Sequence, residues 1–199
     1  MIKKWFPVLE HMNIPNAISL AGLSLSISSL YFLLAGNLKV ACIMAYLGGI
    51  LDGIDGAVAH KLNQQSALGA ELDSLCDAIS FNVVPLLFGA LVVRRSPLMW
   101  ICGLIYCLCG VLRLGYYNMT SEEVDGYFIG VPTTIATIFV VYAAWLCGTF
   151  PWIPRWLLAP FYLLMGGLMI SKIRFKKTNG RRIAYGVLAL ALLITVIIF

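Results

Sequence analysis

The amino-acid sequence predicts an all-α integral membrane protein, a polytopic helical bundle with six core transmembrane helices and a seventh at the C-terminus. Three observations carry this reading. The chain of 199 residues is 61% hydrophobic and only 12% charged, where a soluble globular domain is typically about 45–50% apolar and about 25% charged. Its mean hydropathy is +0.91. Apolar runs near the length of about 20 residues that a helix needs to cross the bilayer core follow one another with only short polar breaks. Backbone polar groups in hydrocarbon must be satisfied within the segment, so each run is read as a helix.

Residues 1–12 are mixed and amphipathic, with no small-residue cleavage site after a short apolar core, and read as an interfacial segment rather than a signal peptide. Lys3 and Lys4 point to headgroups with Trp5 and Phe6 below them, and His11 is an isolated interface residue. The spans fall at 15–35, 38–61, 66–93, 97–118, 130–149, 154–171 and 182–199. Turn residues at Gly36-Asn37, at Ser96-Pro97 and from Pro151 to Pro154 separate neighbours. Thr120–Tyr127 and Lys172–Arg182 read as short polar loops, and 172–199 as a C-terminal extension of one membrane-embedded domain covering 1–199. Tyr116, Tyr117 and Trp152 suit interfacial anchoring.

The basic residues orient the bundle. An N-terminus in the cytoplasm puts Lys3, Lys4, Lys61 and the Lys172–Arg182 cluster inside, against Lys39, Arg94, Arg95 and Arg155 outside. The net charge of +5 comes mostly from the 172–182 cluster, which suits topology and attraction to anionic bilayer lipids. No basic face or reading motif supports a nucleic-acid partner. The six cysteines lie inside apolar runs without paired spacing, so neither a structural disulfide nor a zinc site is expected.

Against this apolar background, the stretch from Gly48 to Phe81 gathers Asp52, Asp55, Glu71, Asp73 and Asp77, five of the nine acids. Residues three and four apart share a helix face. Asp52 and Asp55 therefore sit together near the end of the second span, and Asp73 and Asp77 near the start of the third. The polar link "HKLNQQSA" folds these helices into an antiparallel hairpin, so four carboxylates converge at the cytoplasmic end, with Glu71 facing water. Unscreened, such anions repel one another. Hard divalent cations with all-oxygen ligation, Mg²⁺ or Mn²⁺ and also Ca²⁺, resolve the conflict. A pair of such ions suits a phosphoryl or pyrophosphate group. Membrane carboxylates also line ion paths, which leaves a divalent-cation transporter as a reading of another class. Gly48, Gly49, Gly53, Gly56, Ala57, Ala59, Gly69 and Ala70 accompany the acids. They serve either close helix packing or room for a ligand, with Gly56 and Gly69 the foremost candidates for the latter.

The spacing D52-xx-D55-G56-xx-A59-H60-x8-G69-xxx-D73-xxx-D77 resembles the signature of the CDP-alcohol phosphotransferases, with His60 where that family has arginine. "NIPNAIS" (residues 13–19) is similar to the family's entry to its first helix. Further segments resemble the phosphatidylserine synthases within the family: "GAELDSLCDAISFNVVP", with Asn82 in place of a glycine; "CGVLRLGYYN", which keeps Arg113 and has Gly115 in place of a second arginine; and the turn "GYFIGVP". The resemblance implies transfer of a phosphatidyl group from CDP-diacylglycerol to the hydroxyl of L-serine, with CMP released. It implies that Asp52, Asp55, Asp73 and Asp77 hold the metal and that Asp77 is also the general base. It places Asp55, Gly56, Ala59, Gly69 and Asn16 at the nucleotide and Arg113 and His60 at the substrate. It also implies a homodimer in the cell membrane with its site facing the cytoplasm. The same chemistry on glycerol 3-phosphate, an inositol phosphate or another small alcohol is the nearest alternative, and a relative without catalysis a further one.

Overall fold

A computed structural model describes residues 12–94, 96–120, 127–176 and 179–198. The expectations for residues 1–11, His11 among them, and for Arg95 lie outside the described residues. The chain forms helices α1 (Ile14–Leu34), α2 (Leu38–Leu62), α3 (Ala67–Ala78), α4 (Val84–Val92), α5 (Pro97–Thr120), α6 (Thr133–Thr149), α7 (Leu158–Met169) and α8 (Asn179–Ile198). A π turn, Ile79–Val83, joins α3 to α4 in one continuous rod, and a 3₁₀ turn, Arg155–Leu157, leads into α7. Among the described residues, four rods are long and apolar enough to cross a membrane: α1, α2, Ala67–Val92 and α5. Among the same residues, Thr133–Thr149 and Arg155–Met169 are shorter apolar helices, and the expected count of six plus one is not shown on that criterion.

Local chemistry sets the helix ends. Asn13 caps α1 by accepting from the Asn16 N–H at 2.9 Å, and Pro15 occupies the first turn, where no N–H is required. Asn63 in the left-handed region (φ 53°) stops α2, and Ser66 caps α3 by accepting from the Gly69 N–H at 3.0 Å. Asn13 also donates through Nδ2 to the Gln64 carbonyl at 2.9 Å, tying the start of α1 to the α2–α3 link. α1 packs most extensively against α2. A Cβ on Gly22 would stand 3.0 Å from the Gly48 carbonyl oxygen, and one on Gly48 2.8 Å from that of Gly22, so the two backbones meet where neither residue has a side chain.

The third span expected at 66–93 is one rod, Ala67–Val92, that carries the π turn within it, and Pro85 accounts for that turn. Proline has no N–H to give the Phe81 carbonyl four residues earlier. That carbonyl instead accepts from Thr137 Oγ1 at 2.8 Å and from the Tyr106 hydroxyl at 3.2 Å, donors on α6 and α5. The Tyr162 hydroxyl of α7 donates to the Pro85 carbonyl at 2.6 Å. The core of Phe88, Met99, Tyr106, Val140, Val141 and Tyr162 closes around this junction.

Two further differences concern the expectation of helices alone. Tyr127–Ile129 (β1) pairs antiparallel with Arg174–Lys176 (β2), with Phe128 opposite Phe175. Part of the expected 172–182 loop is thus a strand, and α8 begins at Asn179 rather than 182. Gly130 (φ +72°) then turns the chain against Met169, whose carbonyl oxygen occupies the place of any Cβ. Three-residue strands paired across more than forty residues carry no alternation from which they could be read.

Candidate metal centre and cleft

The site grows from the α1–α2–α3 corner. Asp52 and Asp55 lie one turn apart on α2, and Asp73 enters from α3. One carboxylate oxygen from each lies within 4.8 Å of the others. Two oxygens on opposite sides of one cation, with bonds of about 2.4 Å, stand about 4.8 Å apart. The donor set therefore fits a hard divalent ion without rearrangement of the backbone. Asp55 is buried, at 4% exposure, and Asp52 and Asp73 are half-buried.

Asp77, one turn beyond Asp73, stands outside this trio, its carboxylate within hydrogen-bonding reach of that of Asp52. Its Oδ1 is buried with no hydrogen-bond partner. Two carboxylates so close in a membrane protein need a shared proton or a cation between them. Arg113 on α5 is buried, at 9% exposure, and its charge acts on Asp77 across the α3–α5 seam. Its guanidinium lies over the Tyr117 ring at 5.9 Å, so Tyr117 supports Arg113 as well as suiting the interface. Asn118 donates through Nδ2 to Ser74 Oγ at 3.0 Å and ties the end of α5 to α3.

A cleft of about 190 Å³ opens beside the trio. Pro15, Asn16 and Ser19 line it from α1, Asp55, Gly56 and Ala59 from α2, and Ser66, Gly69, Ala70 and Asp73 from the start of α3, with Gln64 and Gln65 from the link. Asn16, Asp55, Gly56, Ala59 and Gly69, expected at a nucleotide, thus share one cavity. The two glycines differ physically. A Cβ on Gly69 would meet Asn16 Oδ1 at 3.0 Å and Ser66 Oγ at 3.1 Å, whereas one on Gly56 would meet nothing within 4 Å. No protein atom requires Gly56 to be small, and it faces the cleft. His60 is exposed near the end of α2 and does not line this cavity, and Glu71 is exposed as expected.

Ser19 carries a role that sequence reasoning missed. Its hydroxyl donates to Asp55 Oδ2 across the α1–α2 interface. Asp55 Oδ1 meanwhile accepts from the Gly56 N–H at 2.6 Å. The signal stood at the end of "NIPNAIS", but the contact spans 36 residues.

The fold and site define a class: a helical membrane protein with converging carboxylates that could hold a metal ion and a polar cleft beside them. Residues 12–197 match the CDP-alcohol phosphatidyltransferase family, and the chain belongs to it. Among curated relatives, it is 30% identical over 176 residues to the CDP-diacylglycerol–serine O-phosphatidyltransferase of Mycobacterium tuberculosis, covering 83% of this chain and 62% of that protein. It thus spans less than two thirds of the length of that relative. It is 34% identical over 164 residues to the enzyme of the same name from Bacillus subtilis, covering 81% of this chain and 89% of that one. With the Helicobacter pylori enzyme of that name it shares 30% identity over 191 residues, 93% of this chain and 78% of the other. The fold resembles the crystal structure of M. tuberculosis phosphatidylinositol phosphate synthase with CDP-DAG bound, at a TM-score of 0.61 and 21% identity, covering 94% of this chain and 89% of that one.

Proposed function

We propose that the protein transfers a phosphatidyl group from CDP-diacylglycerol to the hydroxyl of L-serine, releasing CMP, at the cytoplasmic face of the cell membrane and as a homodimer. The convergence of Asp52, Asp55 and Asp73 beside a cleft lined by Asn16, Gly56 and Gly69 is the observation that carries this reading. The cytidine lies in the cleft, with Gly56 leaving space for it. The trio and Asp77 would hold Mg²⁺ or Mn²⁺, and the chemistry such an ion would supply is neutralisation of charge on the pyrophosphate and the departing CMP. Asp77 accepts the proton of the serine hydroxyl. The serine oxygen then bonds to the lipid-bearing phosphorus as the bond from that phosphorus to the CMP oxygen breaks. Arg113 binds the serine carboxylate in bidentate fashion, and burial of the seam strengthens that pairing.

The relatives named for serine transfer favour serine over other acceptors. The test is CMP release by the purified protein from CDP-diacylglycerol with Mn²⁺ or Mg²⁺ against a panel of acceptors. Release that depends on serine is expected. Release supported by glycerol 3-phosphate or an inositol phosphate but not by serine replaces the acceptor and keeps the chemistry. Metal flux into proteoliposomes without any CMP release removes the enzyme reading altogether.

A further inference from the structure

Among the described residues, the buried side-chain atoms without a hydrogen-bond partner are Gln64 Oε1, Asp77 Oδ1, Arg113 Nε and both amide atoms of Asn82. Of these residues, only Gln64 lines the cleft beside the acid trio. The Nε2 of its amide is not among the unpaired atoms, so the acceptor and not the donor is the unsatisfied inner atom. An unpaired buried acceptor lowers stability, and a ligand that brings a donor to it recovers that loss.

The backbone of Gln64 is held through both of its polar groups. Asn63, in the left-handed region, ends α2, and the Gln64 N–H donates back to the Ala59 carbonyl at 3.0 Å. The Gln64 carbonyl accepts from Asn13 Nδ2 at 2.9 Å. The side chain therefore leaves a fixed point at the link end of the cleft, and the acids mark the other end. Asp55 stands seven residues before Leu62, where α2 ends, and Asp73 seven residues after the cap Ser66, so about 10 Å of helix axis separates the acids from the link. That separation is comparable to the reach of a nucleoside from its 5′-phosphate to the edge of its base. A pyrophosphate at the acids puts the base at the link. There, Ser66 Oγ already accepts from the Gly69 N–H at 3.0 Å, and Gln65 is exposed.

We propose that Gln64 is a specificity-determining residue that reads the base of the liponucleotide, its Oε1 accepting a hydrogen bond from the exocyclic amine of cytosine. This rests on the phosphatidyl-transfer reading above and deepens it. Uracil carries a carbonyl in place of that amine, so it sets one acceptor against another and leaves Gln64 unpaired. A site built to bond a polar group rejects the analogue that lacks it far more strongly than packing alone can. Gln64 touches the base and not the reacting atoms, so its effect falls on nucleotide binding and leaves the metal and the acceptor alcohol untouched.

The test uses the detergent-purified full chain with Mn²⁺ and compares wild type with Gln64→Met, which keeps the length and removes the amide, and Gln64→Glu, which keeps the acceptor oxygen. Binding of CMP and of UMP is measured by calorimetry, with thermal melts alongside. Wild type is expected to prefer CMP to UMP at least tenfold. Gln64→Met is expected to lose at least tenfold in CMP affinity and most of that preference, with UMP affinity and the nucleotide-free melting temperature little changed. Gln64→Glu is expected to keep the preference. An undiminished preference in Gln64→Met overturns the proposal, and so does a preference lost equally in Gln64→Glu, which would make the amide a donor to the base. A wild type that binds neither nucleotide, or both alike, overturns it as well. A wild type that prefers CMP but releases none from CDP-diacylglycerol with any acceptor refutes the transfer reading alone, and the loss of preference in Gln64→Met still supports Gln64.

Discussion

Ser19 on α1 donates its hydroxyl hydrogen bond to Asp55 on α2, so the helix that carries no acid fixes the orientation of the most buried one. Groups that orient metal-binding carboxylates alter affinity by about 10- to 100-fold when removed. Ser19→Ala is expected to weaken Mn²⁺ binding at least tenfold while the helices remain intact, and Ser19→Thr to restore it. Titration of Mn²⁺ by electron paramagnetic resonance on the purified protein reads this directly. Equal affinity in Ser19→Ala and wild type would mean that the Gly56 N–H holds Asp55 unaided.

Gly56 offers a cleaner separation of fold from function. Its missing side chain borders the cleft and no protein atom. Gly56→Ala is therefore expected to leave the melting temperature within a degree or two and to raise the KM for CDP-diacylglycerol about tenfold or more, since a well-filled site rejects an added methyl. Gly69→Ala, which presses on Asn16 and Ser66, is expected to lower both stability and activity. Thermal melts beside CMP-release kinetics distinguish the two, and a Gly56→Ala protein with ordinary kinetics would leave the cleft without a nucleotide.

Gly110 and Asn82 form a matched pair. Gly110→Ala places a methyl on the Asn82 amide, and overpacking of this kind costs about 1–3 kcal/mol. The double substitution Gly110→Ala, Asn82→Gly removes the collision and is expected to recover most of that loss, a strongly non-additive cycle. Denaturant unfolding in micelles measures it. Additivity would show that the helices shift apart instead.

How much of this was legible follows from how far apart the partners lie. Asp52 and Asp55, and Asp73 and Asp77, are ordered by helix periodicity alone, and the short link between their helices brings them together. That information is local. Ser19 could not be paired with Asp55 by spacing, because the pairing depends on how α1 leans on α2 at Gly22 and Gly48. The π turn depends on Pro85 and also on Tyr106 and Thr137, donors from two other helices, so the apolar run read as one plain span. The β1–β2 pair joins segments that are each too short to show a period. Tyr117 was legible as an interface aromatic, but its place under Arg113 follows from one helical turn on a face whose orientation only packing decides.

The Phe81 carbonyl has two donors, and redundancy makes a specific prediction. Tyr106→Phe or Thr137→Val removes one and leaves the other, at a cost of roughly 0.5–1.5 kcal/mol each. Together they leave a buried carbonyl that Pro85 cannot serve, so the double variant is expected to lose more than the sum, with coupling of about 0.5–3 kcal/mol. Because the π turn begins two residues after Asp77, the same variant is expected to lower kcat more than either single variant does. A double variant with additive losses would mean that the turn re-forms its ladder without these donors.

In the proposed transfer Asp77 accepts the serine proton, and its position allows base and ligand roles to be separated. Asp52, Asp55 and Asp73 bring their oxygens within 4.8 Å of one another without it. Asp77→Asn keeps the size and removes both the charge and the ability to accept a proton. General-base contributions are typically about 10²- to 10⁴-fold. CMP release is therefore expected to fall at least about 100-fold while Mn²⁺ affinity falls by less than tenfold, whereas Asp52→Asn and Asp73→Asn are expected to lose metal first and activity with it. Raising the metal concentration then rescues Asp73→Asn in part and Asp77→Asn not at all. Turnover in Asp77→Asn that excess Mn²⁺ restores would reverse the assignment, making Asp77 a ligand like the others and leaving the serine proton to another acceptor.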